Sequence, residues 1–222
     1  RLIKDRILSN SKSIKIAELE KFAKITYPNY WLLQPAESIK FQIENFFSMG
    51  NKSKDFDFHI SQNSEKKYFE LTLVTKDRSS LFLDIISAFV LENLSVLEAR
   101  IFTLDDGTVI DTFKFSLVNR ELLEKFEINE KITRLKNKLI DVKNKKTPIL
   151  LENSLKKEKI LKKKIDINFD NDSSKTYSVF EVVTNDRVGL LYDISKILIK
   201  NKFIISMAKI STYGDFVEDS FH

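Results

Sequence analysis

The chain has 222 residues, of which 42% are hydrophobic and 31% charged, with a formal net charge of +5. This balance is that of an ordinary globular protein, and the length allows one large domain or two small ones. Cysteine is absent, which excludes disulfides and thiolate metal sites, and the only histidines are His59, in an expected polar loop, and His222. No apolar run is long enough to span a membrane, so we expect a cytoplasmic protein with no metal site or membrane partner.

The first fifty residues are expected to be mostly helical. Residues 36–47 repeat apolar side chains at helical spacing, whereas Pro28 and Pro35 interrupt the stretch before them. We interpret Trp31, between the two prolines, as a residue packed in a core or against another domain. The polar residues 51–67 are expected to be a connector or an irregular edge.

Predicted strands and helices alternate from residue 68 to residue 171. Strands are predicted where apolar and polar residues alternate, and helices where apolar residues recur every three or four positions. The order is strand 69–73, helix 82–89, strand 97–102, turn 105–107, strand 109–115, helix 121–143 and strand 165–169. The apolar stripe of the long helix is expected to comprise Leu122, Leu123, Phe126, Ile132, Leu135 and Leu139. Together these elements make a ferredoxin-like βαββαβ unit.

The chain repeats itself at an offset of 109 residues. The identical pairs are Val74/Val183, Thr75/Thr184, Asp77/Asp186, Arg78/Arg187, Leu81/Leu190, Asp84/Asp193, Ile85/Ile194, Ala99/Ala208, Ile101/Ile210 and Thr103/Thr212. We therefore expect an α+β protein with tandem ferredoxin-like domains, the first at 68–171 and the second at 172–222. The second copy has no counterpart of the last helix and strand, so we interpret the sequence as a fragment.

The positive charge is concentrated in one segment. Residues 131–164 contain thirteen basic and three acidic residues, a net charge of +10, which leaves the rest of the chain at −5. The lysine-rich part has no interleaved aromatic residues on which bases could stack. We interpret 119–164, apart from its helix, as a solvated insertion, and binding of nucleic acid or another acidic partner as the alternative.

With two copies of this unit, the chain resembles a tandem pair of ACT domains, the small ligand-sensing modules of amino-acid metabolism. The motifs that carry the resemblance lie at residues 75–82, 98–107, 111–113, 184–194 and 208–214. More narrowly, residues 27–222 resemble the C-terminal region of the uridylyltransferase/uridylyl-removing enzymes, which modify the nitrogen-signalling P-II protein.

This resemblance implies a regulatory region that senses an amino acid, with glutamine the expected effector. The parent enzyme would use UTP and a divalent metal in catalytic domains on the same chain, and would act on the P-II protein. Neither the paired aspartates of a nucleotidyltransferase nor a His-Asp metal domain is present in the sequence. No catalytic residue, cofactor or metal site is therefore expected within these 222 residues.

The two strand-to-helix turns are the candidate effector sites. Amide hydrogens at a helix N-terminus attract a carboxylate, and side-chain oxygens accept hydrogen bonds from an ammonium group. The family's turn carries Pro-Gly, and the second copy keeps the glycine, which lets a ligand approach the backbone. The main candidates are Asn185, Asp186, Arg187, Gly189, Leu190 and Leu191. Weaker candidates, in the first turn and in the strands expected to form a wall, are Asp77, Arg78, Ser80, Leu81, Ala99 and Arg100.

Three other interpretations remain open. Asp77 and Asp186 could instead cap helices and pair with neighbouring arginines, a purely structural role. The ACT pair could regulate another metabolic enzyme. It could also be a dimerisation or docking module that binds no ligand.

Overall fold

A computed structural model describes residues 14–26, 30–31, 36–51, 56–63, 67–117, 123–144, 165–172, 178–185, 187, 189–203, 205, 208–213 and 216–221. The helices in these residues are α1 (Ile16–Ile25), α2 (Ala36–Asn51), α3 (Leu81–Leu91), α4 (Lys125–Lys143) and α5 (Leu190–Lys200). The strands are β1 (Phe56–Asn63), β2 (Tyr68–Lys76), β3 (Leu94–Thr103), β4 (Thr108–Leu117), β5 (Asp166–Asp170), β6 (Val179–Asn185), β7 (Ala208–Tyr213) and β8 (Phe216–Phe221). None of the described helices is both long and apolar enough to cross a membrane. The lysine-rich residues 145–164 lie outside the described part of the chain.

The strands are hydrogen-bonded in the order β1-β2-β4-β3-β7-β8-β6-β5. Strands β1 to β4 form four adjacent positions of this order and β5 to β8 the other four, and the two sets meet where β3 pairs antiparallel with β7, with Arg100 opposite Lys209. Helix and strand therefore alternate in both repeats as the sequence pattern predicts, and the predicted α+β class with tandem ferredoxin-like domains is confirmed.

The edge strands differ from the prediction. The sequence assigns the strand at 165–169 to the first repeat, but β5 pairs antiparallel with β6, from Asp166 opposite Val183 to Asp170 opposite Val179. In the first repeat the edge position beside β2 is taken by β1, which lies in the predicted connector and carries His59. The assignment of 165–169 was wrong because alternation identifies a strand and its two faces but not the strand that it pairs with. Residues 51–67 were expected to be a connector or an irregular edge, and residues 56–63 form an edge strand.

The contacts divide the chain into two compact units, the first formed by residues 1–61, 71–77 and 101–112. Its core is aromatic: the Phe22 ring lies 5.6 Å from that of Tyr30, which lies 5.3 Å from that of Phe102 on β3. The Tyr30 hydroxyl donates to the buried Gln42 side chain, whose amide donates to Thr112 Oγ1 at 3.1 Å. Helix α2 is thereby fixed to strand β4 by a buried polar chain, which must stay satisfied because burial removes water as a partner.

Trp31 packs within this first unit. Its ring meets those of Phe22 and Tyr30 edge-on, at 6.1 and 5.6 Å between centroids. Its indole Nε1 donates to Thr26 Oγ1 at 2.8 Å. The predicted packing role of Trp31 is therefore seen in the aromatic core.

The second unit comprises residues 62–70, 78–100 and 113–222. Phe89 of α3 lies 5.4 Å from Phe113 and 5.0 Å from Phe115, both on β4. Helix α4 buries Leu135, Leu139 and Val142 completely. Each aliphatic side chain removed from water in this way stabilises the fold by about 1.5–3 kcal/mol.

Helix α4 begins later than predicted, and one residue of its expected apolar stripe is misplaced. The helix starts at Lys125, after a capping box in which the Glu124 and Glu127 side chains exchange hydrogen bonds with the backbone. Phe126 is 64% exposed, which contradicts its place in the stripe. Nine residues separate it from Leu135, and at about 3.6 residues per turn the two lie on opposite sides of the helix. Leu122 lies outside the described residues.

Candidate functional site

The two strand-to-helix turns have the same backbone geometry. Ser80 and Gly189 are the N-cap residues of α3 and α5, and both are left-handed, with φ of 63° and 82°. In each turn the first helical N–H donates to the carbonyl of the arginine, Leu81 to Arg78 at 3.2 Å and Leu190 to Arg187 at 3.1 Å. The first repeat therefore forms the turn although serine replaces glycine.

Neither N-cap residue caps its helix with a side chain. Gly189 has none, and the Ser80 hydroxyl makes no cap hydrogen bond. The first N–H groups of a helix have no intrahelical acceptor and carry partial positive charge, so they suit a carboxylate.

The structure does not show Asp77 capping a helix or pairing with the neighbouring arginine. Its N–H donates to the Gly107 carbonyl at 2.9 Å, while the N-cap position of α3 belongs to Ser80. Its neighbour Arg78 pairs with a different carboxylate, that of Asp84, at 2.7 Å. Capping by Asp77 was therefore a wrong interpretation, and Asp186 lies outside the described residues.

The arginine of each turn pairs with an acid one turn into the helix. Arg78 Nη1 contacts Asp84 Oδ2, and Arg187 pairs with Asp193 at the equivalent place in the second repeat. Arg78 also donates to the Val142 carbonyl of α4 at 3.1 Å. The ion pairs thus fix each turn to the start of its own helix, and in the first repeat also to the end of α4.

A cavity of about 30 Å³ lies beside the second turn, and every residue that lines it belongs to the second unit. The second repeat contributes the turn and the start of α5, together with β7 and β8 beneath them. The first repeat contributes the end of α3 and the start of β3. The cavity therefore joins residues that are about one hundred positions apart in the chain. Its lining includes Phe89, Leu94, Ser95, Val96, Arg187, Gly189, Leu190, Leu191, Tyr192, Ile210, Val217 and Asp219.

The size and lining of the cavity limit its chemistry. A cavity needs roughly 10–15 Å³ to hold one water, so about 30 Å³ holds about two waters. The walls are largely apolar, with polar groups from Ser95, Arg187, Tyr192 and Asp219. Amide hydrogens, a carboxylate and hydroxyls can together recognise a zwitterion, provided that the cavity widens to admit it.

Four of the six main candidates line this cavity, namely Arg187, Gly189, Leu190 and Leu191. Asn185 ends β6 opposite Phe216 and does not line it. Asp186 lies outside the described residues. Their role in binding an effector stays a prediction.

None of the six weaker candidates lines the cavity. Asp77, Arg78, Ser80 and Leu81 form the first turn, while Ala99 and Arg100 lie on β3. Arg100 pairs with Glu98, whose other oxygen contacts Lys114 Nζ at 2.6 Å. The wall contributed by β3 is its beginning, Leu94 to Val96, and not the predicted stretch.

The sequence reasoning missed Tyr192 and Asp219 as lining residues. A signal for Asp219 was available in the sequence, because after a one-residue deletion in the second copy Asp219-Ser220-Phe221 aligns with Asp111-Thr112-Phe113. In the structure both aspartates are 1% exposed. Aspartate is seldom fully buried, so a buried carboxylate at the same place in both repeats indicates a role other than keeping the surface soluble. For Tyr192 the sequence offers no comparable signal, since the first repeat has Leu83 at the equivalent position.

The first repeat contains a carboxyl group in an unusual electrostatic setting. Burial raises the pKa of Asp111 well above its usual range, and the Asp77 carboxylate acts in the same direction, while a hydrogen bond from the Phe102 backbone opposes both. Asp111 Oδ1 has no hydrogen-bond partner among the described residues. Among those residues there is also no group of three or more histidines and acids placed to hold a metal ion.

Two ferredoxin-like repeats with matched turns define the class of this protein, and the architecture is consistent with tandem ACT domains. A scan of protein-family models finds no match to the chain. The chain is, however, similar along most of its length to curated proteins named bifunctional uridylyltransferase/uridylyl-removing enzyme. The resemblance predicted from the sequence motifs is thereby confirmed.

Three of these relatives illustrate the similarity. The protein of Rhodospirillum rubrum is 28% identical over 214 residues, covering 93% of this chain and 22% of the relative. That of Azospirillum brasilense is 27% identical over 217 residues, with 93% and 22% covered. That of Cereibacter sphaeroides is 34% identical over 153 residues, with 66% and 16% covered. The chain thus spans about a fifth of the length of the curated relatives that it matches along most of its own.

Proposed function

We propose that this chain is the C-terminal, amino-acid-sensing region of a bifunctional uridylyltransferase/uridylyl-removing enzyme and consists of two ACT domains. The similarity to such enzymes over 93% of the chain supports the parent protein. In that protein the catalytic domains would use UTP and a divalent metal and would act on the P-II protein in the cytoplasm. These 222 residues would regulate them.

The proposed ligand is L-glutamine, bound at the cavity beside the second turn. The observation that carries this proposal is that the cavity joins the uncapped N-terminus of α5 to the end of α3 in the other repeat. The ligand carboxylate would receive hydrogen bonds from amides in the first turn of α5 other than that of Leu190, which already donates to the Arg187 carbonyl. The Asp219 carboxylate would accept from the ammonium group. A ligand held between two repeats senses how they are arranged.

Binding would act by opening this cavity. Because about 30 Å³ is too small for an amino acid, the ligand must favour an arrangement in which α3 and α5 lie further apart. A ligand shifts such an equilibrium by the difference between its affinities for the two arrangements, typically about 1–3 kcal/mol. That difference would switch the parent enzyme from adding uridylyl groups to removing them.

The test compares two substitutions at Gly189 in the full-length enzyme, with glutamine affinity measured by calorimetry. Gly189→Val places a branched side chain at the helix N-terminus, and we expect binding to be lost. Gly189→Ser copies the residue that holds the same left-handed conformation in the first repeat, so the turn should form and binding should weaken less. Ser80→Val in the first turn is the matched control.

Each result has a distinct meaning. Loss of binding in Gly189→Val with binding retained in Ser80→Val supports the second turn as the site. Equal glutamine affinity in all variants removes this turn from the mechanism. Absence of glutamine binding to the wild-type enzyme overturns the proposed ligand.

A further inference from the structure

Tyr192 lines the cavity, and its buried hydroxyl has no hydrogen-bond partner in the described part of the chain. The residue is 3% exposed, and its hydroxyl oxygen makes no hydrogen bond to any described residue. The Lys196 Nζ lies 5.9 Å from the centre of the ring, which fixes one face of the aromatic group but not its hydroxyl. Buried polar groups are almost always satisfied by protein, water or ligand, so this hydroxyl requires a partner.

The other polar groups of the cavity already suit the charged ends of a zwitterion. Amides at the start of α5 suit the carboxylate, and Asp219, with several lone pairs on its two oxygens, can accept from the ammonium group. Ser95 also lines the cavity but is only partly buried, so solvent can satisfy its hydroxyl. The buried hydroxyl of Tyr192, which has no charged partner among the described residues, is therefore best matched by a neutral polar group.

We propose that the Tyr192 hydroxyl selects the side chain of the ligand, by hydrogen bonding to an uncharged polar group such as a carboxamide. This inference rests on the proposed function of the cavity and adds the residue that sets its specificity. The first repeat has Leu83 at the equivalent position, which offers no hydrogen bond. The selectivity is thus confined to the second turn.

The size of the effect follows from the cost of leaving a buried group unpaired. An apolar ligand of similar length would bury the hydroxyl without a partner, whereas glutamine would pair with it. One unmade hydrogen bond of this kind corresponds to roughly a 5- to 100-fold difference in affinity. Removing the hydroxyl should remove that difference.

The experiment measures L-glutamine and L-norleucine binding to the full-length enzyme by calorimetry, in the wild type, in Tyr192→Phe and in Tyr68→Phe. Tyr68 is the matched control because it is a partly buried tyrosine on β2, away from the cavity, with the Lys114 Nζ 5.9 Å from its ring centre. We expect the glutamine preference of the wild type to persist in Tyr68→Phe and to fall by about 5-fold or more in Tyr192→Phe. Thermal unfolding of each variant accompanies the titrations.

The outcomes separate this inference from the proposed function. If the wild type binds glutamine and Tyr192→Phe keeps the same preference, this inference is overturned and the proposed function stands; a water on the hydroxyl would give that result. A wild type that does not prefer glutamine over norleucine overturns it without reference to any variant. If glutamine does not bind to the wild type at all, the proposed function fails and this inference with it.

Discussion

Ser80 and Gly189 hold the same left-handed backbone conformation at equivalent positions of the two repeats, with φ of 63° and 82°. The left-handed region is free of steric cost for glycine but not for serine, whose Cβ approaches the following carbonyl. The first turn is therefore maintained by its surroundings, including the ion pair of Arg78 with Asp84. Both repeats share the geometry of the turn, but only Ser80 bears the steric cost of the left-handed conformation.

Ser80→Gly is expected to stabilise the protein by about 0.5–1 kcal/mol. Relief of the left-handed conformation contributes about 1–2 kcal/mol, and the greater freedom of glycine in the unfolded chain offsets part of it. The free energy of unfolding from denaturant titration measures the change. The control is Ser79→Gly, at a neighbouring exposed residue without positive φ, and it should not stabilise the protein. If Ser79→Gly raised the free energy of unfolding as much as Ser80→Gly, the backbone explanation would be refuted.

Lys202→Gly is expected to stabilise the end of α5 by up to about 1 kcal/mol. Lys202 is exposed with φ of 63°, and the N–H groups of Lys202 and Phe203 donate to the Ile199 and Leu198 carbonyls at 2.9 and 3.0 Å. This is a Schellman motif, in which glycine is the preferred left-handed residue. Lys200→Gly, at the last residue of the helix, should instead destabilise by up to about 1 kcal/mol. Thermal unfolding shows whether the two changes have opposite signs.

Glu92→Ala is expected to destabilise the packing of α3 on α4 by about 1–2 kcal/mol. The Glu92 carboxylate is 6% exposed and contacts Arg134 Nε at 2.8 Å and Lys138 Nζ at 3.2 Å. The basic partners are partly exposed, so solvent screening keeps the loss below that of a fully buried pair. Glu130→Ala, which removes an exposed contact to Arg134 at 3.5 Å, should destabilise the protein much less than Glu92→Ala does. Chemical unfolding at low salt should distinguish the two; equal losses would contradict the role of burial.

Asp111→Asn is expected to flatten the dependence of stability on pH. Burial, assisted by Asp77, raises the pKa of Asp111 in the folded protein, whereas an unfolded aspartate has a pKa of about 3.9. Above about pH 4 the folded state keeps a proton that the unfolded state releases, so this contribution to stability is lost as pH rises toward the folded pKa. The asparagine variant lacks this loss and should gain stability relative to wild type as pH rises.

The matched control is Asp105→Asn, at an exposed position in the hairpin turn 105–107 that precedes β4. Unfolding is measured from about pH 4 to pH 8, and the gain in stability with pH relative to the wild type should be larger for Asp111→Asn than for Asp105→Asn. A profile for Asp111→Asn that runs parallel to that of the wild type would show that Asp111 does not titrate differently in the folded state.

Local patterns were sufficient for most of the elements. The alternation at 69–73 and 109–115 and the helical spacing from Phe82 to Phe89 were each found within strands and a helix of the structure. The strand-to-helix turn was also predicted from the sequence, and both repeats form it. These features depend on neighbours in the sequence, where side-chain periodicity and backbone preference act directly.

The sequence by itself determined that one αβ unit occurs twice, where each turn bends, and which faces of the strands are apolar. Only the tertiary structure decided that β5 pairs with β6, and that the start of β3 with the beginning of α5 encloses a cavity containing Tyr192. The physical reason is that periodicity specifies which way a side chain points relative to its own element. Which distant element meets that side chain is settled by the packing of the whole chain.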